Sequence, residues 1–110
     1  MNYTWFENLP NLVTDIPAES IVSRTIYADA TLKAVLFGFA AGQALSEHSA
    51  AQPAIIHILS GSATIQLGDD TYEAESGAWV HMSPRLAHSV IAKTPVRMLL
   101  LLLKQDSADA

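Results

Sequence analysis

Ala54-Ile55-Ile56-His57-Ile58-Leu59-Ser60-Gly61-Ser62-Ala63-Thr64-Ile65-Gln66-Leu67-Gly68-Asp69-Asp70-Thr71-Tyr72-Glu73-Ala74 is the stretch that decides the fold. It holds three short runs rich in aliphatic and β-branched residues: Ala54–Leu59, Ala63–Leu67 and Thr71–Ala74. Such side chains suit a pleated, half-buried surface. Between the runs stand Ser60-Gly61-Ser62 and Gly68-Asp69-Asp70, small and polar residues that turn a chain, so both connections read as tight hairpins.

Outward from there the pattern continues in both directions. Toward the N-terminus lie Leu45–Ser49, Thr31–Ala40 and Ile21–Tyr27; toward the C-terminus lie Ala78–Met82, Ser89–Ala92 and Val96–Leu103. Many short strands at regular spacing predict an antiparallel sandwich or barrel. The Ala/Leu-rich pieces Thr31–Ala41 and Met98–Leu103 carry some helix propensity. That is a weak prior, and no capped amphipathic stripe supports it. The fold expected is all-β.

The 110 residues suit one domain, and nothing repeats internally. An arm over residues 1–20, a barrel domain over 21–104 and a frayed tail over 105–110 are expected. The arm carries Tyr3, Trp5, Phe6, Leu9 and Leu12, too aromatic for a disordered leader, so it should pack on a surface of its own barrel or of a partner's.

Half of the residues are hydrophobic and only 15% are charged. A small domain this apolar is expected to hide surface against a second copy, which makes a homodimer the default. Six Lys and Arg against eleven Asp and Glu leave a net charge of −5, which argues against a nucleic-acid partner. No basic amphipathic stretch suggests a membrane surface, and the apolar run Met98–Leu103 is too short to span a bilayer. The absence of Cys excludes thiolate chemistry and fits the cytosol. No basic segment followed by an apolar run marks a signal peptide. There is also no nucleophile elbow, phosphate-cradling Gly loop or pair of catalytic carboxylates.

Histidine is what remains for chemistry. Gly42-Gln43-Ala44-Leu45-Ser46-Glu47-His48, then Gly61, then Gly77, then Pro84-Arg85-Leu86-Ala87-His88 form a glycine-punctuated frame around two distant imidazoles. Glycine serves such corners because it takes positive φ without steric cost. Imidazole is the usual ligand of Zn, Fe, Ni or Cu.

This frame resembles the cupin family over roughly Leu32 to Leu103. In the first cupin motif Gly42, His48 and Gly61 match, while Ala50 stands at the second His position and Ala54 at the Glu position. In the second motif Gly77 and His88 match, Pro84 is displaced by one residue, Arg85 replaces a Gly and Ala92 replaces an Asn. The resemblance implies a small single-domain, bacterial-type cupin with an antiparallel jelly-roll β-barrel. It also implies a small-molecule site in the barrel, with a divalent metal (Mn, Fe, Ni, Zn or Cu) at His48 and His88.

Two ligands of four are missing, so a third must come from elsewhere. His81 is the first candidate and Gln52 the next, against the plain reading of His81 as a strand-edge residue beside Trp79. With Ala54 at the family's inward position, alternation points Ala54, Ile56 and Ile58 into the barrel and Ile55, His57 and Leu59 outward. His57 then has a structural role. Leu99, Leu101 and Leu103 separate from Met98, Leu100 and Leu102 in the same way, and a strand apolar on both faces is normally buried on both. The methyl-sized Ala50 and Ala54 should leave an apolar cavity walled by Ile56, Ile58 and Phe37 or Phe39, with His at one end. Arg85 at the mouth can meet an anionic group or simply be solvated.

Three functions follow as expectations. One is a metal-assisted barrel, dioxygenase-like if catalytic. Another is a metal-free binding or sensing module that has lost catalysis. The third is metal-free isomerase-like chemistry, with His as base and Tyr72 or Asp70 as acid.

Overall fold

The computed structural model describes residues 2–104, so the tail expected at 105–110 lies outside the described residues. After a 3-10 turn at Leu9–Leu12 come nine strands: β1 Ile21–Ala28, β2 Leu32–Phe39, β3 Ala44–His48, β4 Ala54–Ser60, β5 Ala63–Leu67, β6 Asp70–Ala74, β7 Trp79–Met82, β8 His88–Ala92 and β9 Val96–Leu103. Every segment expected from the sequence is a strand, with ends shifted by one residue at most of those that moved. The Ala/Leu-rich β2 and β9 are extended because each is wedged between two antiparallel neighbours.

Two antiparallel sheets face each other in a jelly-roll arrangement. One has the order β1-β2-β9-β4-β7 and the other β3-β8-β5-β6. One of the two expected hairpins is real. Leu67 pairs with Asp70 across Gly68-Asp69, which joins β5 to β6. Ser60-Gly61-Ser62 instead carries the chain from the first sheet to the second, since β4 pairs with β7 and β9 and never with β5. Residue type signals a turn but cannot say which partner the next strand will take.

Alternation sorts the two faces. Val35, Phe37 and Phe39 of β2 lie opposite Leu100, Met98 and Val96 of β9, and Met98, Leu100 and Leu102 lie opposite Ile58, Ile56 and Ala54 of β4. These rows meet Ile65, Val90 and Ala92 of the second sheet in one core, where Phe39, Ile58 and Val96 are wholly buried. Burying each such side chain stabilises the fold by roughly 1.5–3 kcal/mol.

The outer face of the larger sheet is also apolar, and the N-terminal arm of the same chain covers part of it. Val13 and Ile16 lie over Gly38, where a Cβ would stand 2.7 Å from Val13 Cγ1, closer than packing permits. Leu36 is fully buried on this face. Arg97 fastens the arm by donating from Nε to Val13 O (2.7 Å) and from Nη2 to Thr14 O (3.1 Å), and Arg24 donates to Leu12 O (3.2 Å). Tyr3 and Trp5 stand exposed at its far end. Val13 and Ile16 are the arm residues seated at Gly38.

Candidate functional site

His48 reaches the inter-sheet face only through an irregularity in its strand. Leu45 pairs with Val90, but the next recorded pair is His48 with His88, three residues on along β3 and two along β8. Strict alternation from the core-packed Leu45 would turn His48 away from the interior. The extra residue is a β-bulge, which restores the facing and sets the two imidazoles side by side. Their ring centroids are 4.2 Å apart and their planes inclined by 59°. His88 is buried at 6% exposure, whereas His48 lies at the open rim.

Both rings are oriented in the same way. His48 Nδ1 lies 2.9 Å from Ser46 O, and His88 Nδ1 lies 2.9 Å from Leu86 O. A carbonyl oxygen can only accept, so each Nδ1 carries the proton and donates it. In the neutral ring this leaves Nε2 bare, able to accept a hydrogen bond or to coordinate. Two parallel assignments of this kind make the pair a double acceptor.

Two loops frame the pair. The β3–β4 loop holds Ala50 and the half-buried Gln52, and the β7–β8 loop holds Arg85. The Arg85 amide donates to Ala50 O at 2.6 Å and ties them together. Arg85 has φ of 68°, the left-handed region, at the position where the cupin motif has glycine. A side chain there costs roughly 1–2 kcal/mol, so the turn is kept against a local preference. The side chain itself is exposed.

The other histidines lie elsewhere. His81 is in register with Ile55, and His57 with Trp79. Both therefore share the outer face of the larger sheet, because the intervening Val80 and Met82 point into the core. The four histidines thus divide into a pair facing the interior and a pair on the outside, and His81 is not brought to His48 and His88. Among the described residues, no three of His, Asp, Glu or Cys converge as a metal-holding group. Ile56 and Ile58 point inward as alternation predicts. Ile58 is sealed in the core at 0% exposure, while Ile56 lines a cavity.

No histidine lines that cavity, although its wall residue Leu67 is in register with His88. The cavity measures about 360 Å³ and opens where the sheets part between β6 and β7, with Ile56, Ile65, Leu67 and Val80 in its walls and Tyr72 and Trp79 beside them. Ala54 is buried in the core, in register with Met82 and Leu102, and does not line this cavity. Sequence reading missed this opening. Nothing in residue type marks β6 and β7 as edge strands of the two sheets.

A family model described as a cupin domain matches residues 35–102. No functionally curated protein matches the chain. Among solved structures, a conserved protein of unknown function from Streptococcus pyogenes is 26% identical, with a TM-score of 0.82, over 97% of this chain and 93% of that one. An RmlC-like cupin from Desulfovibrio desulfuricans is also 26% identical, with a TM-score of 0.74, over 84% and 92%. A cupin superfamily protein from Desulfitobacterium hafniense shares the fold at 20% identity and a TM-score of 0.80, over 86% of each chain.

Proposed function

Because the chain belongs to the cupin family, we propose that it is a small-molecule-binding cupin in which the Nε2 atoms of His48 and His88 hold the ligand's polar end directly, without a resident metal. The observation that carries this is the pair itself: rings 4.2 Å apart, each with Nδ1 committed to a carbonyl. Two bare nitrogens side by side suit a primary amide or ammonium group, whose N–H hydrogens can be donated to both. Arg85 and Gln52, on the two loops around the pair, stand where they can meet the remainder of such a ligand.

The residues present do not make a resident metal site. Catalytic zinc centres use three protein ligands, and non-haem iron centres two His and a carboxylate. Here only two imidazoles converge, and no carboxylate joins them among the described residues. A second reading rests on the same tautomer: an exchangeable divalent transition metal held by both Nε2 atoms and by ligands from solution. Oxygenase-like chemistry belongs to that second reading alone.

The experiment is elemental analysis and native mass spectrometry of the purified chain beside a His48→Ala/His88→Ala variant. A co-purifying or added small molecule that binds the unsubstituted chain and not the variant, with no stoichiometric metal, is the expected result. Near-stoichiometric Mn, Fe, Ni, Zn or Cu that disappears in the variant would replace the metal-free reading with the metal one.

The chain also works as a homodimer in this proposal. On the outer face of the larger sheet Ile55, Leu101 and Leu103, with His57 beside them, are only half-buried. A row of aliphatic side chains of this kind is what a partner sheet covers.

A further inference from the structure

The cavity between β6 and β7 offers a chemistry that the imidazole pair does not. β6 ends the smaller sheet and β7 ends the larger one, and no ladder joins them, so the interior is open along this seam. The walls are aliphatic, built from Ile56, Ile65, Leu67 and Val80. At the opening stand two large aromatic side chains, Tyr72 at 57% and Trp79 at 60% exposure. They come from opposite sides: Tyr72 shares the interior face with Ile65, while Trp79 shares the outer face with His57. Aromatic rings dominate binding energetics when they are covered, and two left open beside an apolar hollow are poised for a ligand to cover them.

Charge narrows the ligand further. No Lys, Arg or His lines the cavity. Glu73 is its only ionisable carboxylate, and that group is already engaged by the Lys93 ammonium and the Thr64 hydroxyl. The hydrogen bond from Lys93 is the main reason its carboxyl is held below the usual range. An anion entering here finds no cationic side chain in the walls, and a cation finds a carboxylate already paired with Lys93. Size narrows it again: an apolar cavity of about 150 Å³ accepts benzene, so this one, of about 360 Å³, has room for two fused rings.

We propose that the seam cavity binds a neutral, planar aromatic molecule of one or two rings, lodged between Tyr72 and Trp79 with its body against Ile56, Ile65 and Val80. The Tyr72 hydroxyl is the hydrogen-bonding group at its rim. No histidine lines the site, which meets the His48–His88 pair only at Leu67, in register with His88, and it holds whether or not that pair binds anything.

The test is methyl-resolved NMR of the full chain titrated with naphthol, and separately with naphthoate. Saturable shifts at the Ile56, Ile65 and Val80 methyls are expected with naphthol, with the Leu45 methyls on the strand of His48 unmoved. Naphthoate should bind about tenfold more weakly or worse, for want of a cation. Trp79→Ala, at an exposed position where folding is not at stake, should weaken naphthol by about tenfold. Ala78→Leu, which puts a side chain into the cavity, should do the same with the melting temperature recorded alongside. Absence of saturable shifts at these three wall residues overturns the proposal. So do shifts centred on Leu45, or an undiminished affinity in Trp79→Ala. Naphthoate binding as tightly as naphthol overturns the assignment of a neutral ligand.

Discussion

Gly61→Ala is the substitution whose cost can be worked out most completely. Gly61 has φ of 88°, and a Cβ built there would lie 2.1 Å from Pro95 O. The conformation alone costs about 1 kcal/mol for a residue with a side chain. To bring the contact beyond the 3.0 Å below which real Cβ atoms essentially never sit, the Pro95 carbonyl must retreat. Its loop is held by Ser62 N donating to Thr94 Oγ1 (2.9 Å) and by Lys93 N donating to Ser62 O (2.9 Å). Stretching both bonds removes about 1 kcal/mol each. The loss should come to about 3 kcal/mol in all. Gly42→Ala is the internal control. Gly42 has φ of 84° and nothing within 4 Å of a Cβ, so it isolates the backbone cost of about 1 kcal/mol. Thermal unfolding followed by circular dichroism should place Gly61→Ala about 8 °C or more below Gly42→Ala, at about 4 °C for each kcal/mol. Melting temperatures within about 2 °C of each other would refute the crossing geometry at Gly61.

Two further outcomes follow from the same structure. Asp29 accepts hydrogen bonds from the Tyr27 hydroxyl (2.6 Å), the Thr31 amide (2.8 Å) and hydroxyl (2.9 Å), and the Leu32 amide (2.9 Å); led by the Tyr27 bond, these lower its pKa from 3.8 to about 2. A carboxylate whose folded pKa is depressed stabilises the fold above its unfolded pKa and loses that contribution as pH falls through the folded one. Acid unfolding of Asp29→Asn should therefore depend less steeply on pH between 3.8 and about 2 than that of the unsubstituted chain, and equal slopes would dismiss the contribution of these hydrogen bonds. For the homodimer, sedimentation velocity at dilute concentration should give a dimer, and Leu101→Lys should give a monomer with an unchanged circular dichroism spectrum. A stable monomer for the unsubstituted chain would dispose of the interface.

The strands were legible because each carries its own pattern. In β4, Ala54, Ile56 and Ile58 alternate with Ile55, His57 and Leu59, and that period of two is a local property of the backbone. The same rule separated the two faces of β9 and sent His57 outward. It failed where locality fails. Counting along β3 cannot detect the bulge between Leu45 and His48, because a bulge is an event in a pair of strands. The connection at Gly61 looked like a hairpin because a turn signal is the same whether the next strand joins this sheet or the other.

The sequence by itself determined the all-β class, the strand segments, the cupin frame and the outward facing of His57. Each of these is written in residue type and spacing along the chain. Only the tertiary structure decided that the arm lies over its own sheet, held by Arg97, and that His81 faces away from the interior pair. It alone opened the cavity beside Tyr72 and Trp79, in a seam between two edge strands. The physical reason is common to all three. Which strand ends a sheet, which face is covered and which rings meet depend on contacts between residues far apart in the chain, and no local pattern carries that information.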